Sequence, residues 1–523
     1  MHGGKSSVFE NLRLLAPNER AKRKRSASGN NVINPMRRLS MKKKKIYNIG
    51  WKSVIACYVT GFIVFGLLAF LVNLFTNYPK FSNETGLLRT CIQLAITAIL
   101  LISHALYTFF ADRSVMETPR KMWATMTAML ICYAVIEFAS FWTYGLYAVP
   151  IALCAVMLSL LISDKCGFYA NFVVIMLCFL QYINWQDVST LDSEAYFYLL
   201  FGGVIQAVFA SYIFGKGYRR INYVGYGLLL GVIAAVCSFA AYLMFIDGTT
   251  ISWAEIGIKA GISFASGIIC TMLMFVLVSL FEVSFDLVTV FRFSEIASSD
   301  NELMRRLFEK APGTYNHCLT VAVYAEACAM AIGISVVEAR AAAYYHDIGK
   351  LKNPSYFVEN QFGGVNPHDN MTPEASVRMI KSHVTNGIAL ANEYKLPEEV
   401  KRAIAEHHGT MPIKYFYLKA KKYTDGDLPY DDYCYDGPKP TTKVSAILMI
   451  CDASEAALRA SGKQNAEKVV DDIVAERLAF NQFSDCDITM KEIDIIKSTI
   501  ITTFCGIRHQ RVSYPDIKLE GDK

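Results

Sequence analysis

His346 and Asp347 stand side by side in "AAAYYHDIGKLKNP", residues 341–354, where an alanine-rich helical run ends, and Lys350 follows at helical spacing. Six of the chain's nine histidines fall between 317 and 408, under a fifth of its length. In chain order the candidate ligands are His317 in "GTYNHC", His346 and Asp347 in "YYHDIGK", His383 in "IKSHVTNG", His407 and His408 in "AEHHGT", and Asp452 in "MICDASEA". Each lies within or at the end of a predicted helix. Five imidazoles and two carboxylates are about the number needed to hold two metal ions with open positions for water and substrate. Two ions roughly 3.5–4 Å apart polarise a phosphoryl oxygen and bring the pKa of a bridging water towards neutrality. Neighbouring residues on a helix point about 100° apart, so one helix end presents His346 to one ion while Asp347 bridges both. The His407–His408 pair repeats the device. Imidazole-rich ligation favours Fe, Mn, Zn or Co over Mg or Ca.

Lys350 lies four residues after His346 and three after Asp347 and so shares their face. An ammonium there would hold a substrate phosphate oxygen or stabilise charge on the departing oxygen. Asp347 and Lys350 are therefore the catalytic candidates, with Lys350 also the substrate contact. Taken singly, each residue has a plainer reading. A lone His or His pair is more often a satisfied polar or surface group, Lys350 a solvated charge, and Asp452 a helix cap. The set overturns those readings, because seven ligand types converge on several helices of one small domain. His368, in the loop "NPHDN", remains a polar loop residue near the entrance, and His2 and His509 receive no role.

Two kinds of element must position this set. At 523 residues and 53% hydrophobic content the chain divides into a membrane half and a soluble half. Eight apolar stretches approach membrane-spanning length, near 54–75, 90–110, 122–142, 146–163, 167–184, 196–214, 223–246 and 257–281, the fourth and fifth being short. Within them, His104 and Glu137 are expected to pair with each other or with backbone. Residues 1–52 carry fourteen Lys/Arg against two acids, so the rest of the chain sums to −6. Such a tail directly before an apolar segment marks the cytoplasmic side, and the loops "ADRSVMETPRKM", "SDKCG" and "GKGYRR" agree with it. The opposite loops, "NWQDVSTLDSEA" and "DGTTISWAE", are acidic or neutral. Both termini and the soluble half are thus expected in the cytoplasm, with no cleaved signal peptide. Of fourteen cysteines, eight lie in or beside apolar spans and six follow them without CxxC pairing, which reads as reduced thiols. No basic, aromatic-studded surface follows the tail, which excludes a nucleic-acid polymer as partner.

The expected division is a basic tail (1–52), a transmembrane bundle (53–282) comprising a seven-helix module and one preceding helix, an amphipathic connector (283–311) and a soluble domain (312–523). Beyond 312, helical runs alternate with Pro/Gly loops and show almost no period-two pattern. The fold class is all-α: a multi-span bundle of about eight helices followed by an all-helical cytoplasmic domain.

"HDIGK", with an upstream His and a downstream His, His-His and Asp, resembles the HD-domain metal-dependent phosphohydrolases. Longer matches, among them "APGTYNH", "AYYHDIGKLKNPSYFVENQ", "NPHDNMTPEAS", "HHGTMPIKYFY" and "YDGPKPTTKVSAILMICDASEAA", are similar to the membrane-bound 7TM-HD group of bacterial cyclic di-AMP phosphodiesterases. The resemblance implies a di-iron or di-manganese site ligated by His317, His346, Asp347, His383, His407, His408 and Asp452. It implies hydrolysis of cyclic di-AMP to pApA by a metal-bridged hydroxide, with the bilayer as the other partner, and it leaves a homodimer open. The Gly-Tyr-Pro signature of cyclic di-GMP hydrolases is absent after the His pair. The family's large extracellular domain between the first two membrane helices is replaced by about fourteen residues, "TNYPKFSNETGLLR". Aromatics in "KYFYLKAKKY" and "LPYDDYCYDGPKP" offer a purine-stacking wall, or ordinary packing.

Three other readings stay open. The domain could act on cyclic di-GMP, a linear dinucleotide or a nucleotide monoester. It could instead bind a nucleotide without turnover as a membrane receptor, although such a pseudo-enzyme should have lost a ligand. A transporter fits less well, because no paired, broken-helix repeat is visible.

Overall fold

The computed structural model describes residues 51–81, 84–185, 193–217, 220–246, 251–298, 300–361, 363, 366–423, 427–461 and 466–507, so residues 1–50 of the basic tail, with His2, and also His509 lie outside the described residues. Among the described residues there is no β-strand, only an isolated bridge between Pro412 and Cys434. The chain separates into two compact units, one ending at Thr289 and one running from Val290 onward.

In the first unit every apolar stretch becomes helix: α1 (Trp51–Phe81), α2 (Glu84–Phe110), α3 (Pro119–Ala139), α4 (Leu153–Leu161), α5 (Asp164–Trp185), α6 (Gly203–Phe214), α7 (Arg220–Phe245) and α8 (Trp253–Phe285). Among the described residues, six helices are long and apolar enough to cross a membrane, and α4, nine residues long, is too short to be one of them. The chain around α4 is broken for a local reason. Tyr144 sits at φ +65°, one helical turn follows over Gly145–Ala148, and Pro150 interrupts the chain before α4 begins. Helix α5 opens on Asp164 and Lys165. A π-helical turn at Tyr198–Gly202 leads into α6.

Close packing in this unit follows small residues. A Cβ on Gly267 of α8 would stand 2.3 Å from the backbone nitrogen of Gly231 on α7, so the two helices meet backbone to backbone. Polar side chains are tied together inside: Asn73 donates to Gln93 at 3.2 Å, Gln93 donates to Gln181, and Gln181 donates back to Asn73 at 2.5 Å. His104 and Glu137 do not pair with each other as expected. His104 Nδ1 meets the Tyr58 hydroxyl at 2.9 Å on α1, and Glu137 meets the Cys178 thiol on α5. Each found a nearer polar group on a neighbouring helix.

The second unit begins with two short helices, α9 (Val290–Ile296) and α10 (Glu302–Lys310), capped at its start by Asn301. They precede α11 (Pro312–Ala331), α12 (Val336–Tyr345), α13 (Pro373–Glu393), α14 (Glu398–Glu406), α15 (Lys414–Lys421), α16 (Lys443–Ser461), α17 (Ala466–Ala479) and α18 (Met490–Ile507). Local chemistry sets the ends. Pro312 and Pro373 occupy first-turn positions, and Ser335 accepts from the Glu338 amide in an S-x-x-E box that starts α12. The core joins α11, α12, α16 and α18 through Val321, Ala325, Ala342, Ile447, Ile450 and Ile496, all buried. Cys318, Cys328 and Cys451 are buried thiols, and every cysteine is free.

Candidate metal centre

Helix ends deliver four of the seven ligand candidates and helix faces deliver the other three. His317 projects from the second turn of α11, and Asp452 lies midway along α16. His346 caps the C-terminus of α12, and Asp347 opens the 3₁₀ segment Ile348–Lys352. His383 lies midway along α13, and His407 caps α14 with His408 next to it. Gly349 lets the turn after Asp347 press onto α13: a Cβ there would stand 1.8 Å from the His383 carbonyl oxygen. The glycine of "HDIGK" is thus what brings Asp347 against His383.

The two oxygens of Asp347 face different partners. Oδ1 lies 3.4 Å from His383 Nε2 and 3.8 Å from His407 Nε2. Oδ2 lies 3.3 Å from His346 Nε2 and 3.6 Å from His317 Nε2. Asp452 Oδ1 completes the second side, 3.0 Å from His317 Nε2 and 3.7 Å from His346 Nε2, while its Oδ2 is 3.8 Å from His408 Nδ1. The residues therefore sort into two groups whose ligand atoms all lie within 4.8 Å of one another: His317, His346, Asp347 and Asp452; and His383, His407 and His408. All but His408 are buried.

Backbone carbonyls fix three of the rings. Nδ1 of His346, His383 and His407 donates to Ala343, Ile380 and Ile404 carbonyls at 2.8, 2.6 and 2.8 Å. A carbonyl only accepts, so the neutral rings carry their proton on Nδ1 and turn a bare Nε2 inward. His383 and His407 then point two lone pairs at each other across 3.3 Å, an arrangement that suits a cation between them. His346 Nε2 and Asp347 Oδ1 are also buried without a hydrogen-bond partner, a costly state that a bound cation would relieve. The donor set and its orphaned atoms fit divalent metal ions.

Electrostatics divide the groups in the same way. Burial lowers the imidazoles of the second group: His407 falls to about 3, helped by nearby His346, and His383 and His408 also fall. These rings are neutral and free to ligate. Burial opposes charge at His317 too, but hydrogen bonds to Asp452 and Glu455 outweigh it and push the ring up to about 10. Burial would raise Asp347, yet the Lys350 and His346 charges hold it well below the carboxylate range. Asp452 is held low against burial by His317 and His346.

Lys350, expected to meet substrate, is committed to protein carboxylates. Its ammonium lies 2.7 Å from Asp347 Oδ2 and 2.7 Å from Glu359 Oε1 and is largely buried. Burial disfavours the charge, but those two anions raise its pKa all the same. Thr314 holds the same Glu359 oxygen at 3.0 Å. His368 is packed rather than loose: its Nε2 meets the Tyr356 carbonyl at 3.0 Å, its ring lies against Phe416, and it belongs to neither ligand group.

Sequence reasoning passed over three residues. Glu455 holds His317 Nδ1 at 2.6 Å; its signal was its place three residues after Asp452 on one helix face. Glu359 had no signal beyond its charge. Tyr435, within the aromatic segment suggested as a purine wall, stacks on His408 with centroids 4.2 Å apart and planes 23° apart. Tyr415 and Tyr423, from the other segment, are exposed. A cavity of about 260 Å³, lined in part by Asn316, Thr320 and Arg459, borders His317 and Glu455.

Comparison with known proteins places these two units. Residues 51–289 match the family described as 7TM receptor with intracellular HD hydrolase, and residues 314–457 match the HD domain. The chain is 35% identical over 438 residues to the cyclic-di-AMP phosphodiesterase PgpH of Listeria monocytogenes serotype 1/2a (strain 10403S), covering 82% of this chain and 59% of that protein. It is 35% identical over 373 residues to the Bacillus subtilis (strain 168) cyclic-di-AMP phosphodiesterase PgpH, covering 71% of this chain and 51% of that protein. The match thus spans a little over half the length of these curated relatives. The crystal structure of the L. monocytogenes PgpH HD domain in complex with cyclic di-AMP is 44% identical, covering 40% of this chain and 99% of that one, with a TM-score of 0.39.

Proposed function

The chain belongs to the membrane-bound 7TM-HD family, and we propose that it is a metal-dependent phosphodiesterase that opens cyclic di-AMP to pApA. One observation carries the reading: each oxygen of Asp347 faces a separate imidazole group, His383 and His407 on one side and His346 and His317 on the other. That is the geometry of a carboxylate shared between two cations. The activity named for the relatives and the absence of Gly-Tyr-Pro after the His pair favour cyclic di-AMP over cyclic di-GMP. Iron or manganese suits the imidazole-rich donors.

When bound, two such cations supply a polarised phosphoryl oxygen and water acidic enough to attack at neutral pH. The residues do the rest. His383 and His407 are locked by their carbonyls with Nε2 inward and burial keeps them neutral, so they ligate without losing a proton; His346 is held in the same way, but against burial the Asp347 charge raises its pKa, so it would give up its Nε2 proton to a cation. Lys350 pins Asp347 Oδ2 and keeps the carboxylate ionised, which makes it a positioning residue. Tyr435 holds His408 by stacking, and burial keeps its phenol protonated, so its hydroxyl is a donor beside the Asp347 and Asp452 charges. We assign that hydroxyl to a phosphoryl oxygen of the substrate. In the reaction one P–O3′ bond breaks; water gives its oxygen and one proton to the phosphate and its other proton to the departing ribose oxygen.

The division into a basic tail, a membrane bundle, a connector and a catalytic domain belongs to this reading, as does a cytoplasmic placement of both termini, supported by the Lys/Arg-rich loops on one side. Full-length protein in nanodiscs, loaded with Mn(II), should convert cyclic di-AMP to pApA. Asp347→Ala should lower turnover by more than about a hundredfold, since it removes a shared ligand rather than an outer one. An active Asp347→Ala protein, or turnover confined to cyclic di-GMP, linear dinucleotides or monoesters, would defeat the assignment.

A further inference from the structure

Of the four imidazoles of the centre with a close hydrogen-bond partner on Nδ1, three lean on neutral carbonyls and one on a carboxylate. His317 Nδ1 lies 2.6 Å from Glu455 Oε2, and both side chains are buried, 5% and 7% exposed. The other Glu455 oxygen is 3.8 Å from Arg459 Nη1, one turn along α16, which steadies the carboxylate. The opposite edge of the same ring, Nε2, points at Asp452 and Asp347. Glu455 thus grips the proton that stays on the ring and leaves the ligating nitrogen aimed at the first ligand group. A ring that donates to a carboxylate is more electron-rich, and a stronger ligand, than one that donates to an amide. At the second group the nearby anions are Asp347, beside His383 and His407, and Asp452, whose Oδ2 lies 3.8 Å from His408 Nδ1; both are shared with the first group, and neither grips an Nδ1 proton as closely as Glu455 does.

We propose that Glu455 is a positioning residue that makes the two cation positions unequal, so that the position formed by His317, His346, Asp347 and Asp452 fills first and holds its ion more tightly. The inference rests on the two-cation reading given above and deepens it. The second position, built from neutral histidines and carboxylates shared with the first, is the exchangeable one. The occupancy of that position, rather than of both, sets how much of the protein is fully loaded when metal is scarce.

The test uses the full chain in nanodiscs, stripped with chelator and titrated with Mn(II) by equilibrium dialysis and metal analysis. Wild type should bind two ions in two resolved steps. Glu455→Gln, which keeps the shape and loses the charge, should weaken the tighter step about ten- to hundredfold and leave the weaker step within about twofold. Wild type that binds fewer than two ions defeats the two-cation reading. Wild type that binds two ions, with a Glu455→Gln isotherm superimposable on it, defeats the role of Glu455 alone. A second measurement needs no variant: crystals of wild type loaded with one equivalent of Mn(II) should show anomalous density beside His317, His346 and Asp452. First density beside His383, His407 and His408 would overturn the proposal even if Glu455→Gln failed to fold.

Discussion

At Asp347 one side chain has three tasks: Oδ2 takes the Lys350 ammonium and faces His346, while Oδ1 is buried, unbonded and turned towards His383. A residue with that many claims on it was legible in the sequence because it sits in a short motif whose neighbours are also ligand types. Glu455 was not, since a single glutamate on an amphipathic helix looks like any solvated charge until its partner 138 positions away is known. Lys350 was legible as a charge on the correct face, but the carboxylate that claims its outer side, Glu359, arrives through a 3₁₀ turn no periodicity reveals. Tyr435 offers a clean separation of roles. Tyr435→Phe preserves the ring stacked on His408 and deletes the hydroxyl, so steady-state kinetics on cyclic di-AMP should show kcat lower by about a hundredfold. Metal analysis of the same variant should still return two ions per chain. Unchanged kcat would remove the hydroxyl from the mechanism.

Helix ends, more than helix faces, build the centre, because His346, Asp347, His407 and His408 all lie where a helix stops. The sequence announced those stops through HDIGK and HHGT, and the structure adds the reason for the glycine in the first. Gly349→Ala would drive a methyl group into the His383 carbonyl, so the turn must shift or α13 must move. Thermal melts should show a loss of about 1–3 kcal/mol or more, accompanied by lower metal content, because Asp347 and His383 are displaced together. A variant with wild-type melting and full metal would mean the turn has slack that the close packing denies. In the membrane unit the lengths of the apolar stretches were legible, but the break around Pro150 and the π turn before α6 were not. Hydropathy sums over a segment and does not register one proline or one inserted residue.

Across the whole molecule, two compact units carry two family matches, and between α1 and α2 only two residues intervene where relatives of this type were expected to carry a large outer domain. Within the membrane bundle, Asn73, Gln93 and Gln181 tie three of the helices together. The proposed orientation places Cys505, an exposed thiol of the C-terminal unit, in the cytoplasm. In cells carrying a Cys91→Ser background, membrane-impermeant maleimide should label Cys505 only after permeabilisation; labelling of intact cells would reverse the topology. The central claim is that one folded pocket grips two cations with Asp347 between them. Anomalous diffraction from crystals of the fully Mn-loaded chain tests it directly. Two peaks roughly 3.5–4 Å apart, one beside His317, His346 and Asp452 and the other beside His383, His407 and His408, are the predicted result. A single peak, or two peaks without Asp347 between them, would contradict it.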